Sequence, residues 1–269
     1  MLALVVSVGV DELELAADAL WSLGVGAIEE RVAADHVDLW TSLGDDAEAV
    51  TDAAAQRLAA WNWRFVEVDE AVADTWRKHA EPVWIDTDLV ICPAWVSFDA
   101  APDVTVLRIE PGSTFGLGDH PTTILSISAI RAAISDGVTL LDVGCGSGVL
   151  GVVACVMGAS AVRAIDIAPA SVPTTRANAA ANGVADRVHV STTPLAEIDG
   201  RFDIVVANIL APTLIDLADD LRRVVAPAGV LIVSGVLADH HDHVDAALLP
   251  MRRTRRDTLD GWAAISFSA

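Results

Sequence analysis

Tyrosine is absent from this 269-residue chain, lysine occurs once, at Lys78, and cysteine three times. With alanine abundant and arginine standing in for lysine, these gaps reflect codon usage as much as physics. Cys92, Cys145 and Cys155 are odd in number and show no metal-type spacing, which argues against a disulfide framework and for free thiols in a reduced compartment. No apolar run reaches the roughly 18 residues that a membrane span needs. The opening MLALVVSVGV passes straight into DELELAADAL with no basic flank or small-residue cleavage site, so the expectation is an untargeted, cytoplasmic protein without membrane contact. Basic residues are scarce, 17 against 38 acids for a net charge of -21. That excludes holding DNA or RNA through general phosphate contacts, which require a basic face. The acid excess is read as a solvated surface, the sharper alternative being steering of a basic partner.

What is present is enough apolar material, 53% of residues, for one large domain or a large and a small one. Over residues 2–69, LALVVSVG, GAIEERV, HVDLWTS and WRFVEVDE have strand character, and DELELAADALWSLG and DAEAVTDAAAQRLAAW are amphipathic, giving β-α-β-β-α-β. That order predicts a small ferredoxin-like α+β domain over 1–70. Residues 1–80 hold 16 acids against five bases, and seven of the eight tryptophans precede residue 96; most are expected in the core, with one or two free to form a docking surface. Residues 71–84, AVADTWRKHAEPVW, predict a helical linker ending near Pro82. From 85 to 269 short strands VICPAW and VTVLRIEP precede alternating strand and helix signals, which argue a doubly wound parallel sheet, and the tail reads as two strands joined at Asp260-Gly261.

The chemistry concentrates in LLDVGCGSG, residues 140–148, a buried strand opening through alternate glycines into a helix. Gly144, Gly146 and Gly148 allow a sharp turn and close approach to a ligand at the helix amino terminus. A dinucleotide fingerprint reads G-x-G-x-x-G, whereas this stretch reads D-x-G-x-G-x-G, with Asp142 ahead of the first glycine. An acid there repels a pyrophosphate and suits an ammonium group, so the pattern favours S-adenosyl-L-methionine. Asp166, ending the next strand in AVRAIDI, suits the ribose hydroxyls, or else caps the helix that follows. Asn208 in VVANIL ends the fourth strand, where its carbonyl oxygen suits an amine substrate, or else forms a turn.

With ICPAW, PGSTFGLGDHPTT, LDVGCGSGVL, AIDIAP, TRANAAANG, VVANILAPTLIDLA and GVLIVSGVLADH, the chain resembles the ribosomal protein L-11 methyltransferase family (PrmA) over nearly its whole length. The resemblance implies a seven-stranded class I methyltransferase (Rossmann-like) domain behind a small substrate-recognition module. It implies cofactor contacts at Thr123, Gly144, Asp166 and Asn208, to which Asp142, Gly146 and Phe115 are added from the same motifs. It further implies methyl transfer to amines, α-amino or lysine, of a ribosomal protein at the large-subunit stalk base. Leu117 stands where the family pattern has threonine, and Asp119 adds a charge beside it. Enzymes that methylate lysines of an electron-transfer flavoprotein subunit resemble the catalytic part alone, and a non-catalytic cofactor-binding protein is the reading from a different class.

The reaction needs no metal and no nucleophilic side chain, and none is assigned. His120 is a candidate proton relay, its structural alternative being the residue before Pro121 at a helix start. DHHDH, residues 239–243, is read as a solvated helix start because neighbouring helical residues point apart. Arg252, Arg253, Arg255 and Arg256 are placed on an exposed strand, where ribosomal RNA contact is the sharper reading. The chain is expected to act as a monomer.

Overall fold

The computed structural model describes residues 2–9, 12–21, 23, 25, 28–33, 36–42, 51, 54–67, 77, 80–112 and 117–268. The chain divides into two compact units, Met1–Ala80 and Glu81–Ala269.

In the first unit, β1 (Leu2–Val8), α1 (Leu13–Trp21), β2 (Ile28–Val32), β3 (Val37–Ser42) and β4 (Asn62–Glu67) build an antiparallel sheet in the order β2-β3-β1-β4. Strand alternation sends Leu4, Val6 and Val8 of β1 and Val37 and Leu39 of β3 to one face, where they meet Ala16 and Leu20 of α1. Ala54 and Leu58 join the same core from a helical stretch, residues 54–57, closed by the Leu58 N–H to Ala54 O bond of 2.8 Å. Residues 46–50 and 52–53 of the expected second helix lie outside the described residues.

The tryptophans depart from expectation. Trp40, Trp61, Trp63 and Trp95 are only half-buried and Trp84 is exposed. Trp61 and Trp63 pack on the margin of the core, Trp63 edge-on to Phe65 at 5.6 Å, and the Arg31 guanidinium covers the Trp40 ring at 3.9 Å. A large ring with a polar N–H settles at a boundary more readily than inside a small core. Trp76 lies outside the described residues, as do 71–76, 78 and 79 of the expected linker helix. At its far end Val83 and Trp84 are strand rather than linker, because they pair with Ile91 and Val90.

The second unit opens with a small sheet, β5 (Val83–Asp86), β6 (Leu89–Pro93) and β7 (Thr105–Ile109), in which β6 and β7 are parallel. There follow α2 (Pro121–Ala133), β8 (Thr139–Val143), α3 (Val149–Val156), β9 (Ala161–Ile165), α4 (Ser171–Ala181), β10 (Val188–Ser191), β11 (Phe202–Asn208), α5 (Ala211–Asp216), α6 (Ala218–Val224), β12 (Val225–Leu237), α7 (Asp242–Ala247), β13 (Arg252–Leu259) and β14 (Trp262–Ser268). The sheet order is β10-β9-β8-β11-β12-β14-β13, the first five strands parallel and β14 antiparallel to both neighbours. The stretch PTLIDLADDLRRVV forms two helices, α5 and α6, that meet at Leu217. β13 and β14 turn through Asp260 (φ 48°) and Gly261 (φ 81°), the positive pair that a two-residue hairpin loop requires.

Both sheet faces are covered, so consecutive strand residues enter different cores. Leu140, Ile204, Val206 and Ile232 pack with Ile127 and Ile130 of α2 and Val152 and Val153 of α3. Leu141, Val205, Ala207 and Leu231 pack with Leu214 and Leu221 on the opposite side. That is why these strands read as continuous apolar runs rather than alternating ones. It also leaves the carboxyl ends of the parallel strands as the place for a ligand. Among the described residues no helix is long and apolar enough to cross a membrane.

Candidate active site

Four stretches distant in sequence converge at those carboxyl ends. The Gly144 and Cys145 N–H groups both donate to Ile165 O, at 2.9 and 3.1 Å, which ties the loop after β8 to the end of β9. Gly144 has φ 73°, and a Cβ there would stand 2.4 Å from Ile209 Cγ2, so left-handed backbone and close packing both demand glycine. Ile209 follows Asn208, so this contact sets the end of β11 against the glycine loop.

Asp166 is half-buried beside the same loop. Its Oδ2 accepts from Gly146 N at 2.8 Å and its Oδ1 from Ala168 N at 2.8 Å. Each oxygen keeps a second lone-pair site for a ligand hydroxyl. Ile167, next in sequence, is 88% exposed, an apolar side chain left beside a polar one at the mouth of the site. Asn208, the last residue of β11, is half-buried, and its side-chain amide makes no hydrogen bond to the described residues.

Thr123, in the first turn of α2, is 1% exposed, and its hydroxyl has no hydrogen-bond partner. Two nearby serines of this helix bond back to carbonyls four residues earlier, Ser126 to Thr122 O at 2.7 Å and Ser128 to Ile124 O at 2.9 Å. An unmet buried hydroxyl costs about 1–3 kcal/mol and marks a place where a ligand group belongs. His120 is the N-cap of α2: its Nδ1 accepts from Thr122 N at 3.3 Å and lies 2.8 Å from Thr122 Oγ1, while its ring meets Trp262 edge-on at 5.2 Å. Burial holds its pKa below the ordinary histidine value against the opposing pull of Asp119, so the ring is neutral, as a capping acceptor must be. Phe115 lies outside the described residues; Leu117 is half-buried and Asp119 exposed.

Asp142 differs from its expected place facing a ligand ammonium. It has no exposed surface. Its Oδ2 accepts from Gly151 N at 3.1 Å, capping the start of α3 from beneath the loop, and its Oδ1 has no partner. Burial first, with the nearby Asp166 charge adding to it, pushes its pKa up to about 7. Near neutral pH it is therefore poised between its protonated and ionised forms beneath the glycine loop.

Two residues without an assigned role in the sequence hold the site together. Ser234 Oγ donates to Ala263 O at 3.0 Å and approaches Thr122 O at 3.3 Å, and Ser234 O accepts from Ile209 N at 3.2 Å. One serine thus joins the start of α2 to the residue after Asn208. At Gly235, φ 85°, a Cβ would lie 2.3 Å from Ile209 O, a backbone atom that cannot swing aside. A glycine inside a strand is the sequence signal of such an approach. Gly235→Ala is expected to lower stability by about 2 kcal/mol or more, and an unchanged urea midpoint would refute that packing.

Outside this region, His241, Asp242 and Asp245 bring ligand-type atoms within 4.8 Å of one another, closer than their adjacency in sequence implied. Arg256 approaches His241 Nε2, an arrangement that leaves the ring proton on Nδ1, and Arg253 holds Asp245. Two guanidinium charges and a protonated Nδ1 make the group an ion-pair cluster rather than a cation site. It also accounts for two of the four arginines of β13, while Arg255 pairs with Asp257 at 2.5 Å.

A glycine loop, a strand-end acid and an unpaired amide thus lie along the edge at which open α/β sheets bind ligands. The family described as Ribosomal protein L11 methyltransferase (PrmA) matches residues 28–269. A protein of that name from Geotalea daltonii is 43% identical over 183 residues, 64% of this chain and 58% of the relative's length. Another from Geobacter metallireducens is 38% identical over 244 residues, 90% of this chain and 78% of the relative. The crystal structure of a ribosomal protein L11 methylase from Lactobacillus delbrueckii subsp. bulgaricus aligns with a TM-score of 0.65 at 32% identity, covering 70% of this chain and 97% of that one. The fold is that of a methyltransferase. The chain belongs to the ribosomal protein L11 methyltransferase family.

Proposed function

We propose that this chain transfers methyl groups from S-adenosylmethionine to amine nitrogens of ribosomal protein L11. The observation that carries the reading is the buried, partnerless hydroxyl of Thr123 in the first turn of α2; the preceding residue's carbonyl lies against Ser234, which accepts from the residue after Asn208. When bound, the cofactor supplies a methyl group made electrophilic by its sulfonium. Asp166 would accept from the ribose hydroxyls, Ile167 would cover the base, the glycine loop would let the backbone approach closely, and Thr123 would meet the methionine end. His120 keeps a helix-capping part.

Asn208 is assigned to the acceptor. Its Oδ1 takes an N–H of the incoming amine and so orients the nitrogen lone pair, and the gain is one of positioning. The amine must also be neutral. At pH 7 deprotonation costs about 4.6 kcal/mol for an unperturbed lysine and about 1 kcal/mol for an α-amino group, which favours an amino terminus as the easier target.

The β2-β3-β1-β4 order supports reading residues 1–70 as a ferredoxin-like recognition domain, with 71–84 as linker and 85–269 as a seven-stranded class I catalytic domain. Cys92, Cys145 and Cys155 are free and buried, in keeping with a reduced, cytoplasmic setting.

The test is labelled methyl transfer to purified ribosomal protein L11, with mass spectrometry of ribosomal proteins from cells with and without the enzyme. Cofactor binding without transfer to any ribosomal protein would overturn the assignment. If the net charge of -21 steers a basic substrate, kcat/KM falls as salt rises through the range where the Debye length shrinks from about 30 to about 8 Å. A flat salt profile would leave the charge with a solvation role alone.

A further inference from the structure

Helix α4 and the residue after it present two asparagines four apart, hence on one face, to the outer edge of β7. Asn182 Oδ1 accepts from Arg108 N at 2.9 Å while its Nδ2 donates to Arg108 O at 2.8 Å. Asn178 repeats the arrangement one strand period further on: Oδ1 accepts from Glu110 N at 2.9 Å, and Nδ2 donates to Glu110 O at 2.9 Å. A primary amide carries the same donor and acceptor as a peptide group, so these side chains stand where another strand would pair. Taken alone, this is edge protection.

Asn178 does something that Asn182 does not. Its second Nδ2 hydrogen goes to Ser147 O, at 2.8 Å, inside the glycine loop. The second hydrogen of Asn182 returns to Asn178 O, at 2.8 Å, within its own helix. Asn178 is 2% exposed, and its two donors and one acceptor site are spent on two separate segments. One segment is the loop whose Gly146 N–H holds Asp166. The other runs through Gly112, packed toward Thr174 of α4, and continues in sequence into FGLGDHPTT.

We propose that Asn178 is a positioning residue that sets the glycine loop in register with the 110–112 segment from which the Phe115–Thr123 stretch departs. The proposal rests on reading that loop as the cofactor site. Removing the amide takes from the Ser147 carbonyl its bond to α4, so the glycine loop and the 110–112 segment lose their common anchor. Asn182 holds the same strand without touching the loop, so it separates loss of the strand edge from loss of the coupling.

The experiment compares Asn178→Ala and Asn182→Ala with the parent chain by urea denaturation, by calorimetric binding of S-adenosylhomocysteine and by amide hydrogen exchange of residues 144–148 without ligand. Both variants should lose similar stability. Only Asn178→Ala should weaken ligand binding, by about tenfold or more, as loss of one buried hydrogen bond implies, and only it should speed exchange in the loop. The KM for cofactor should rise with it. Asn178→Ser, which keeps one donor, carries the same expectation where the alanine variant unfolds. Unchanged affinity and exchange in the Asn178 variant, or equal losses in both, would overturn the coupling. A parent chain that binds no S-adenosylhomocysteine would overturn the cofactor reading instead, and the loop exchange rates then decide the coupling on their own.

Discussion

Asp142→Asn is expected to gain stability on the parent chain as pH rises, the gap between the two shifting by roughly 3 kcal/mol between pH 5 and pH 8. The carboxyl is fully buried with one oxygen unpartnered, and its pKa is raised from 3.8 to about 7. Below about pH 4 both folded and unfolded chains carry its proton and the group contributes no pH dependence. Between about 4 and 7 the folded chain binds one more proton than the unfolded chain, so stability falls as pH rises, and above 7 the whole penalty is in place. Asparagine keeps an acceptor for the Gly151 N–H and cannot ionise, so its own profile lacks this slope. Its NH2 group loses about 1–3 kcal/mol for want of an acceptor, an offset that does not vary with pH and so leaves the difference intact. Urea denaturation of both proteins at several pH values reads it directly, and parallel profiles would show that Asp142 titrates normally.

The same carboxylate links ligand binding to protons. A cationic cofactor bound at the loop would favour the ionised form, so binding expels a proton and affinity should rise with pH up to about 7 and level off above it. In Asp142→Asn that dependence should vanish. Calorimetry in two buffers of different ionisation enthalpy measures the proton count, expected near one at pH 6 and near zero in the variant.

Asn208→Ala should lower kcat by about 100-fold or more, the scale of effect expected when a reacting group loses its positioning contact. Cofactor affinity should change much less, since Asp166, Thr123 and the glycine loop remain. The amide ends β11 without a protein partner, so truncating it breaks no bond to the described residues. Asn208→Asp separates orientation from charge: it keeps an acceptor but stabilises the protonated amine, so its rate should recover only at higher pH. Turnover by the alanine variant equal to that of the parent at saturating cofactor would remove Asn208 from the acceptor site.

Local features were legible in sequence. The Asp260-Gly261 turn could be placed because two positive φ angles are a property of those residues. The run from Leu140 to Gly148 announced a strand opening into a helix because β-propensity and glycine act over a few positions. Partner choice was not legible. Ser234 joins Thr122 across 112 residues, and Asn178 joins Glu110 across 68. A serine in an apolar strand and an asparagine in an alanine-rich helix give no sign of which carbonyl they will meet. The tryptophans misled because their hydrophobicity predicts a core, while rings of that size are left only part-buried around a small one.

Residues close together in the chain thus set the glycine loop, the strand-end acid and, through their motifs, the family. Packing of the folded chain put Asp142 beneath the loop instead of facing a ligand. It also decided that Gly235 bears on the backbone after Asn208, and that Asn178 ties the glycine loop to the 110–112 segment. Those outcomes follow from the packing of elements that meet only once the sheet has formed, and burial or a hydrogen-bond partner is a property of that meeting rather than of any residue alone.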